Sequence, residues 1–544
     1  MIGSLTNNIR GDIYGGITAA IIALPLALAF GVSSGAGPIA GMYGAIFVGL
    51  FAALFGGTPS QISGPTGPMT VVMAATFTQY TSYDPIMGPA LAFTVVMLGG
   101  VFQILFGVLK LGKYIALVPF PVVSGFMTGI GVIIIILQLP AFFGYATFSG
   151  GINASLKALP GFIQSPINQA MILGAISLII ATFLPNKINR IIPAPLLALI
   201  CGTLIFLFLF PEKIATTLGS IPTGFPSPQM PAFEVSLITN MIKSALVLAV
   251  LGSIDSLLTS LVADNLTRTH HDSDKELIGQ GIGNTFAGIF GGLPGAGATM
   301  RTVVNINAGG NTKISGILHA AILLAIVLGA GAFAKDVPHA VLAGILIKVG
   351  LDIIDWDFLK HLKYVPRTSA FLMFTVLLIT VFVDLITAVA VGVVSASIIL
   401  VNRMSALQSK SIKIITQPDD ETPLSNEESE ILKQASGRIL LYHLSGPLSF
   451  GAAKDMVKRL ATYDKYDVLI LDFTAVPLVD YTTSKSIHDM IGDANNTNKS
   501  VYLVGMTGQV VALLDRLGVL KSVKQEHQVN SRLEALQSAS KFIA

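Results

Sequence analysis

Asp255 stands in VLAVLGSIDSLLTSLVAD, Val247 to Asp264, an otherwise apolar run in which an ionised carboxylate is costly without a partner. Thr259 follows one helical turn later on the same face, and Ser253 and Ser256 add hydroxyls, so the run offers hard oxygen donors of the kind Na+ takes. A protonatable carboxylate serves H+ equally well, and Asp255 could also bond to Ser or Thr hydroxyls purely to hold the fold. Two further stretches break apolar sequence with Gly and Pro: SQISGPTGPMTVVMA, Ser60 to Ala74, and GLPGAGATM, Gly292 to Met300. At membrane depth an unpaired backbone group costs several kcal/mol, so such a break is tolerated where it lines a cavity. Half-helices starting after SGPTG and LPGAGA would bring free N–H groups, and the positive ends of two helix dipoles, to one place. Two such ends make an anion site. Thr66, Gly67, Gly297, Ala298 and Thr299 are its expected wall, with Gly297 and Thr299 shared with a cation held by Asp255, Ser256 and Thr259. Arg301, just after the second break, attracts the anion or neutralises Asp255. Phe30 and Tyr43 line the cavity or pack in the core.

These residues need a membrane-embedded scaffold. Of 544 residues, 52% are hydrophobic and 12% charged, too little charge to cover a soluble globule of this size. The net charge of +3 divides into 18 − 14 = +4 before Met404 and 15 − 16 = −1 from there on, so neither part carries a nucleic-acid-binding excess. One cysteine, Cys201, excludes an intrachain disulfide and a cysteine metal cluster. MIGSLTNNIRGD is too polar, and the apolar stretch after it too long, for a cleaved signal peptide, so the first helix is expected to stay. About fourteen apolar segments follow, the third (67–79) and tenth (299–310) conspicuously short. Apolar runs of spanning length end near Arg403, which gives a transmembrane domain over 1–403, a polar linker over 404–436 and a soluble domain over 437–544. With the N-terminus cytoplasmic, the loops on that side hold most Lys and Arg, including Arg190, whereas the other side offers mainly Lys157, Lys213 and Lys335. Both termini are therefore expected in the cytoplasm of a multi-pass cell-membrane protein. Seven segments per half, and Gly/Pro breaks about 230 residues apart, imply an inverted repeat with its site at the midplane.

GPIAGMYGAIFVGLFAALFGGTPSQISGPTGPM, Gly37 to Met69, and GLPGAGATMRTVVNINAGGNTKISGILHA, Gly292 to Ala320, resemble the signature regions of the SulP anion transporters. DFTAVPLVDYTTSKSI, Asp472 to Ile487, resembles the core of the STAS domain that ends most members. The resemblance implies an all-α polytopic membrane domain of fourteen helices in a 7+7 inverted repeat, with uracil-permease-like core and gate, moving by an elevator-like shift, followed by a cytoplasmic α/β STAS domain. Through LPLALAFGVSSG and the Asp255 context, the chain is most similar within the family to the cyanobacterial sodium-dependent bicarbonate transporters. Other members carry sulfate, chloride, oxalate or dicarboxylates, and Leu26 and Thr66 depart from patterns common elsewhere. The resemblance implies secondary active transport, with an acid of the eighth helix beside the substrate, Na+ as coupling ion, no cofactor, no enzymatic activity, and a homodimer with the STAS domain as a candidate contact. A planar monoanion such as bicarbonate has donor and acceptor atoms, so the Thr66 hydroxyl and the amides of Ala298 and Thr299 can serve it. The alternatives are an H+-coupled sulfate or dicarboxylate transporter, and a membrane-anchored signalling scaffold.

The remaining polar residues have plainer readings. Lys348 and Asp384 near the ends of spans are expected to snorkel or pair. His319 is expected to be a satisfied core histidine, and THHDSD, Thr269 to Asp274, a cytoplasmic loop. Asp352, Asp355 and Asp357 around Trp356 fit an amphipathic interfacial segment. Thr482 occupies the place where related STAS proteins have a phosphorylatable Ser or Thr, or else caps a helix.

Overall fold

A computed structural model describes residues 8–115, 119–145, 151–189, 192–210, 216–219, 226–329, 335–383, 385–418, 424–463 and 465–543. Arg190, Lys213 and Asp384 lie outside them. The chain divides into two compact units, Met1–Val393 and Val394–Ala544.

The first unit is helical. Besides two four-residue helices, Gly112–Ile115 and Asn186–Asn189, the first half holds α1 (Ile9–Ser33), α2 (Pro38–Phe55), α3 (Gly67–Tyr83), α4 (Gly88–Val108), α5 (Phe120–Phe142), α6 (Gly151–Gln164), α7 (Asn168–Phe183) and α8 (Ala194–Leu209). After them come α9 (Ile238–Thr267), α10 (Ser273–Ile289), α11 (Thr299–Asn307), α12 (Lys313–Gly329), α13 (His339–Ile353), α14 (Trp356–Lys360), α15 (Arg367–Phe382) and α16 (Leu385–Ser411), the last crossing into the second unit. Six helices among the described residues are long and apolar enough to cross a membrane, and α6 with α7 forms a pair bent by 110°. Each of the fourteen expected segments coincides with a helix, but α6 was not anticipated: its short run mixes Asn, Lys and Gln among Leu, Ile and Phe, an amphipathic pattern below spanning length. Two groups of helices result from the packing. In one, α1, α2 and α12 pack together and α10 lies against α2 and α4, with α9 on α4; in the other, α13 packs on α5, α7 and α8, and α15 on α5.

Two very short strands bridge the Gly/Pro breaks. β1 (Ser63–Gly64) pairs antiparallel with β2 (Ala296–Gly297), Ser63 opposite Gly297 and Gly64 opposite Ala296. Gly64 has φ 153°, and a Cβ on Gly295 would lie 2.5 Å from the carbonyl carbon of Gly64. Only glycines allow the two chains this close. Immediately after the pair, α3 and α11 begin, Thr66 and Ala298 preceding their first turns.

The second unit is a five-stranded sheet of order β3 (Lys413–Ile415), β4 (Ile439–Ser445), β5 (Val468–Ala475), β6 (Ser500–Val504), β7 (Gln528–Val529), with β3 antiparallel and the rest parallel. Strands buried on both faces read as continuous apolar runs, as RILLYHL and DVLILDF do. One face is covered by α18 (Phe450–Leu460), α19 (Tyr481–Asn496) and α20 (Gly508–Arg516), through Met456, Ile487 and Leu514. The other is covered by α17 (Asn426–Gln434) and α21 (Arg532–Ile543), through Leu432 and Leu536. The expected linker over 404–436 is thereby corrected. Its first part completes α16, Lys413–Ile415 is an edge strand of the sheet, and α17 opens on a capping box between Ser425 and Glu428 and buries Leu432. Thr482 is not the cap of α19: Asp480 is, accepting from the Thr483 amide, and Thr482 is exposed in the first turn.

Candidate anion and cation site

A cavity of about 400 Å³ lies where the two breaks meet, lined by Leu26 and Phe30 of α1, by Thr66 and Gly67, by Asp255 of α9, and by Gly297, Ala298, Thr299 and Arg301. Met127 of α5 and Val349, Asp352 and Ile353 of α13 close the opposite wall. Every residue expected at the anion site therefore faces one space. The first hydrogen bonds within α3 and α11 run from Thr70 N to Thr66 O and from Thr302 N to Ala298 O, so the amides before them form the open helix starts. Pro68 supplies no donor, which leaves Gly67 and Met69 on one side and Thr299, Met300 and Arg301 on the other. The Ala298 amide, expected to face the anion, instead donates to Ile62 O at 2.8 Å as the β1–β2 ladder continues outward. Thr66 Oγ1 is buried with no hydrogen-bond partner.

Oxygens gather on the Asp255 side. Thr259 Oγ1 is 3.0 Å from Gly297 O and 2.7 Å from Thr299 Oγ1, and Asp255, 8% exposed, keeps Oδ2 without a hydrogen-bond partner. Thr66 and Arg301 are nevertheless close enough to Asp255 to act on its carboxylate. The donor set of one carboxylate, two hydroxyls and one carbonyl suits a hard cation. Ser256, expected among these ligands, is turned away: its hydroxyl donates to Gly252 O at 2.6 Å and accepts from Gly297 N at 3.0 Å, so it anchors β2 to α9. Ser253 likewise bonds back to Ala249 O. Arg301 is buried and reaches across the breaks, Nη2 donating to Pro65 O at 2.6 Å. Its charge faces the cavity while its fork ties α11 to the start of α3. Tyr43 packs among Phe47, Phe286 and Phe290 in the core and does not line the cavity.

Two buried acids outside the cavity were not anticipated. Glu276, buried in the first turn of α10, accepts from the amides of Gly57 and Thr58 and from the side chains of Gln61 and Gln280. Asp12, buried in the first turn of α1, accepts from the amides of Asn311 and Thr312 ahead of α12. Both tie helix ends of one half to the other, and the signal was an acid in the first turn of an apolar helix, a place where acids are common on surfaces. His319 corrects an expectation: it is fully buried, but neither ring nitrogen has a hydrogen-bond partner. Lys348 pairs with Asp352 one turn on. Asp355 caps α14 and accepts from Ser124 Oγ at 2.6 Å. His271 of the THHDSD loop bonds Asp264 at 2.7 Å and Ser273 at 2.9 Å.

The Sulfate permease family model matches residues 9–376, and the STAS domain model matches 430–534. The chain is 48% identical over 484 residues to the bicarbonate transporter BicA of Synechocystis sp., covering 89% of this chain and 86% of that one. It is 31% identical over 485 residues to the putative sulfate transporter YvdB of Bacillus subtilis, 87% of each. Among solved structures, the transmembrane domain of a cyanobacterial BicA superposes with a TM-score of 0.67 at 51% identity, covering 70% of this chain and 98% of that one. SLC26A9 superposes with a TM-score of 0.83 at 21% identity over 99% of this chain and 91% of that one, a likeness of fold. The helical membrane unit and the STAS sheet agree with these matches, and the chain belongs to the sulfate permease family.

Proposed function

We propose that the protein is a secondary active transporter that takes up bicarbonate with Na+. The observation that carries this reading is the cavity in which two helix starts, Asp255 and Arg301 converge. Na+ would sit among Asp255, Thr259 Oγ1, Thr299 Oγ1 and Gly297 O, and the anion against the amides that open α3 and α11, with the Thr66 hydroxyl left to pair with the anion's own donor or acceptor. Coupling is then electrostatic. Without the cation, the Asp255 carboxylate opposes a second negative charge in a space it lines, and a bound Na+ removes that penalty. Nearly half of the aligned residues, over 89% of this chain, are shared with relatives named bicarbonate transporters, which favours bicarbonate over the sulfate of more distant relatives.

All the proposed ligands belong to the group containing α1, α9 and α11, whereas the other group meets them with Met127, Val349 and Ile353 and with one carboxylate, Asp352, which is paired with Lys348. This division supports an elevator-like motion in which one group carries both ions past a wall that holds none of the proposed ligands. The antiparallel β1–β2 pair, with a helix opening just after each strand, supports an inverted repeat, although only α11 is short, α3 running on to Tyr83 beyond the expected segment. The reading also includes both termini in the cytoplasm and a homodimer joined through the STAS unit.

The test is uptake of labelled bicarbonate and labelled sulfate into liposomes containing the purified protein, each with and without an inward Na+ gradient. Bicarbonate uptake driven by the gradient is expected; sulfate uptake indifferent to sodium overturns the assignment.

A further inference from the structure

Asp352 belongs to two spaces at once. It lines the central cavity with Asp255 and Arg301, and also an adjoining pocket of about 440 Å³ walled by Ser124, Asp355, Trp356 and Asp357. It sits in the last turn of α13, so it comes from the wall opposite the proposed ion ligands. Its side chain is 35% exposed and is paired with Lys348. The central cavity thus has two carboxylates and one guanidinium on its lining, and Nη2 of that guanidinium is committed to Pro65 O. One Na+ offsets one carboxylate, and Lys348 partly offsets the other. A monovalent anion completes this arrangement, whereas a divalent one adds a negative charge that no group on the wall opposes.

We propose that Asp352, tempered by Lys348, is a valence filter that admits a monovalent oxyanion to the central cavity and excludes a divalent one. The proposal rests on the anion-transport reading and adds the residue that sets its charge selectivity. At an effective dielectric near 20, a unit charge within about 8 Å of a carboxylate is disfavoured roughly thirtyfold, and partial compensation by Lys348 leaves a factor on the order of ten.

The two members of the pair separate this role from a structural one. Asp352→Asn removes the repelling charge, and Lys348→Met removes the compensating one. Loss of the ion pair as such would shift both variants the same way, whereas a filter shifts them in opposite directions. The measurement is inhibition of labelled bicarbonate uptake by sulfate in liposomes holding the full chain, expressed as the sulfate inhibition constant over the bicarbonate KM. The same ratio is read at equilibrium from the fluorescence of Trp356, the sole tryptophan, which flanks the pocket, so a variant that binds without turnover still reports. Asp352→Asn is expected to lower the ratio about tenfold and Lys348→Met to raise it. An unchanged ratio in Asp352→Asn, or a shift of both variants in one direction, overturns the filter. Absence of bicarbonate uptake by the unaltered protein overturns instead the transport reading beneath it.

Discussion

Replacing Asp255 by Asn keeps the shape of the side chain and removes its charge, so the consequences for ion binding and for folding can be separated. A cation about 4 Å from a carboxylate at an effective dielectric near 20 gains about 4 kcal/mol, roughly a thousandfold in affinity. Thr259, Thr299 and Gly297 O remain in place, but they are neutral donors and do not replace that term. Sodium-driven uptake is therefore expected to vanish at any practical Na+ concentration. Folding should behave differently. Asp255 Oδ2 has no hydrogen-bond partner, so Asn relieves a desolvated charge, but it also takes from the buried Arg301 its nearby counter-charge; the two effects oppose, and the thermal unfolding temperature in detergent should change far less than Na+ affinity does. The assay is a Na+ titration of bicarbonate uptake by purified Asp255→Asn protein in liposomes, with a melting curve on the same preparation. Half-saturation by Na+ within about tenfold of the unaltered protein would refute the cation site, because a carboxylate ligand accounts for more than that.

Ala298→Leu should insert in the membrane and fold but lose uptake, since the added bulk enters the cavity beside the amides that open α11; wild-type uptake would displace the anion from this place. Glu276→Ala should be the converse of Asp255→Asn: four donors lose their acceptor, so unfolding should come earlier by about 3–5 kcal/mol, read as a fall in melting temperature. In the STAS unit, burial pushes the Asp472 carboxyl up, but bonds from His443 and Thr474 outweigh it and hold the group below its ordinary range. A depressed carboxyl stabilises the fold above its unfolded pKa and ceases to do so as pH falls through the depressed value, so thermal stability of the full chain should drop below about pH 4, and Asp472→Asn should flatten that drop. Truncation after Ser411 removes the whole sheet and should weaken dimerisation and change the rate without altering ion selectivity, judged by mass in detergent and by uptake.

The residues that chemistry made conspicuous were legible because each violates its surroundings: an acid in VLAVLGSIDSLL, glycines and prolines inside apolar runs, an arginine beside them. Which atoms of those residues face the cavity was not legible. Ser256 and Thr259 are alike in type and differ in direction, because Ser256 lies where the Gly297 amide needs an acceptor and Thr259 lies toward Thr299. The β1–β2 pairing, which takes up the Ala298 amide through Ile62, spans more than two hundred residues of sequence and leaves no local periodicity to read. Asp12 and Glu276 look like surface acids at helix starts, and only the fold shows that both carboxylates are buried. The stretch TQPDDETPLSNEESE reads as linker by composition, yet Ser425 and Glu428 form a capping box that composition does not register.

The contact of Gly295 on Gly64 has a consequence for substrate size. Because the strands before α3 and α11 are hydrogen-bonded to each other and touch through glycine, the gap between the two helix starts is a constant of the fold, like the span of a rivet. A bulkier anion cannot be admitted by parting them, since that would break the ladder and strand buried amides. Room can come instead from the apolar side chains around them, Met127, Val349 and Ile353 on the facing wall and Leu26 and Phe30 on α1. Chains built on the same pair of breaks can therefore change the size of what they accept by trimming or filling those apolar positions, while the helix starts and the charged residues stay as they are.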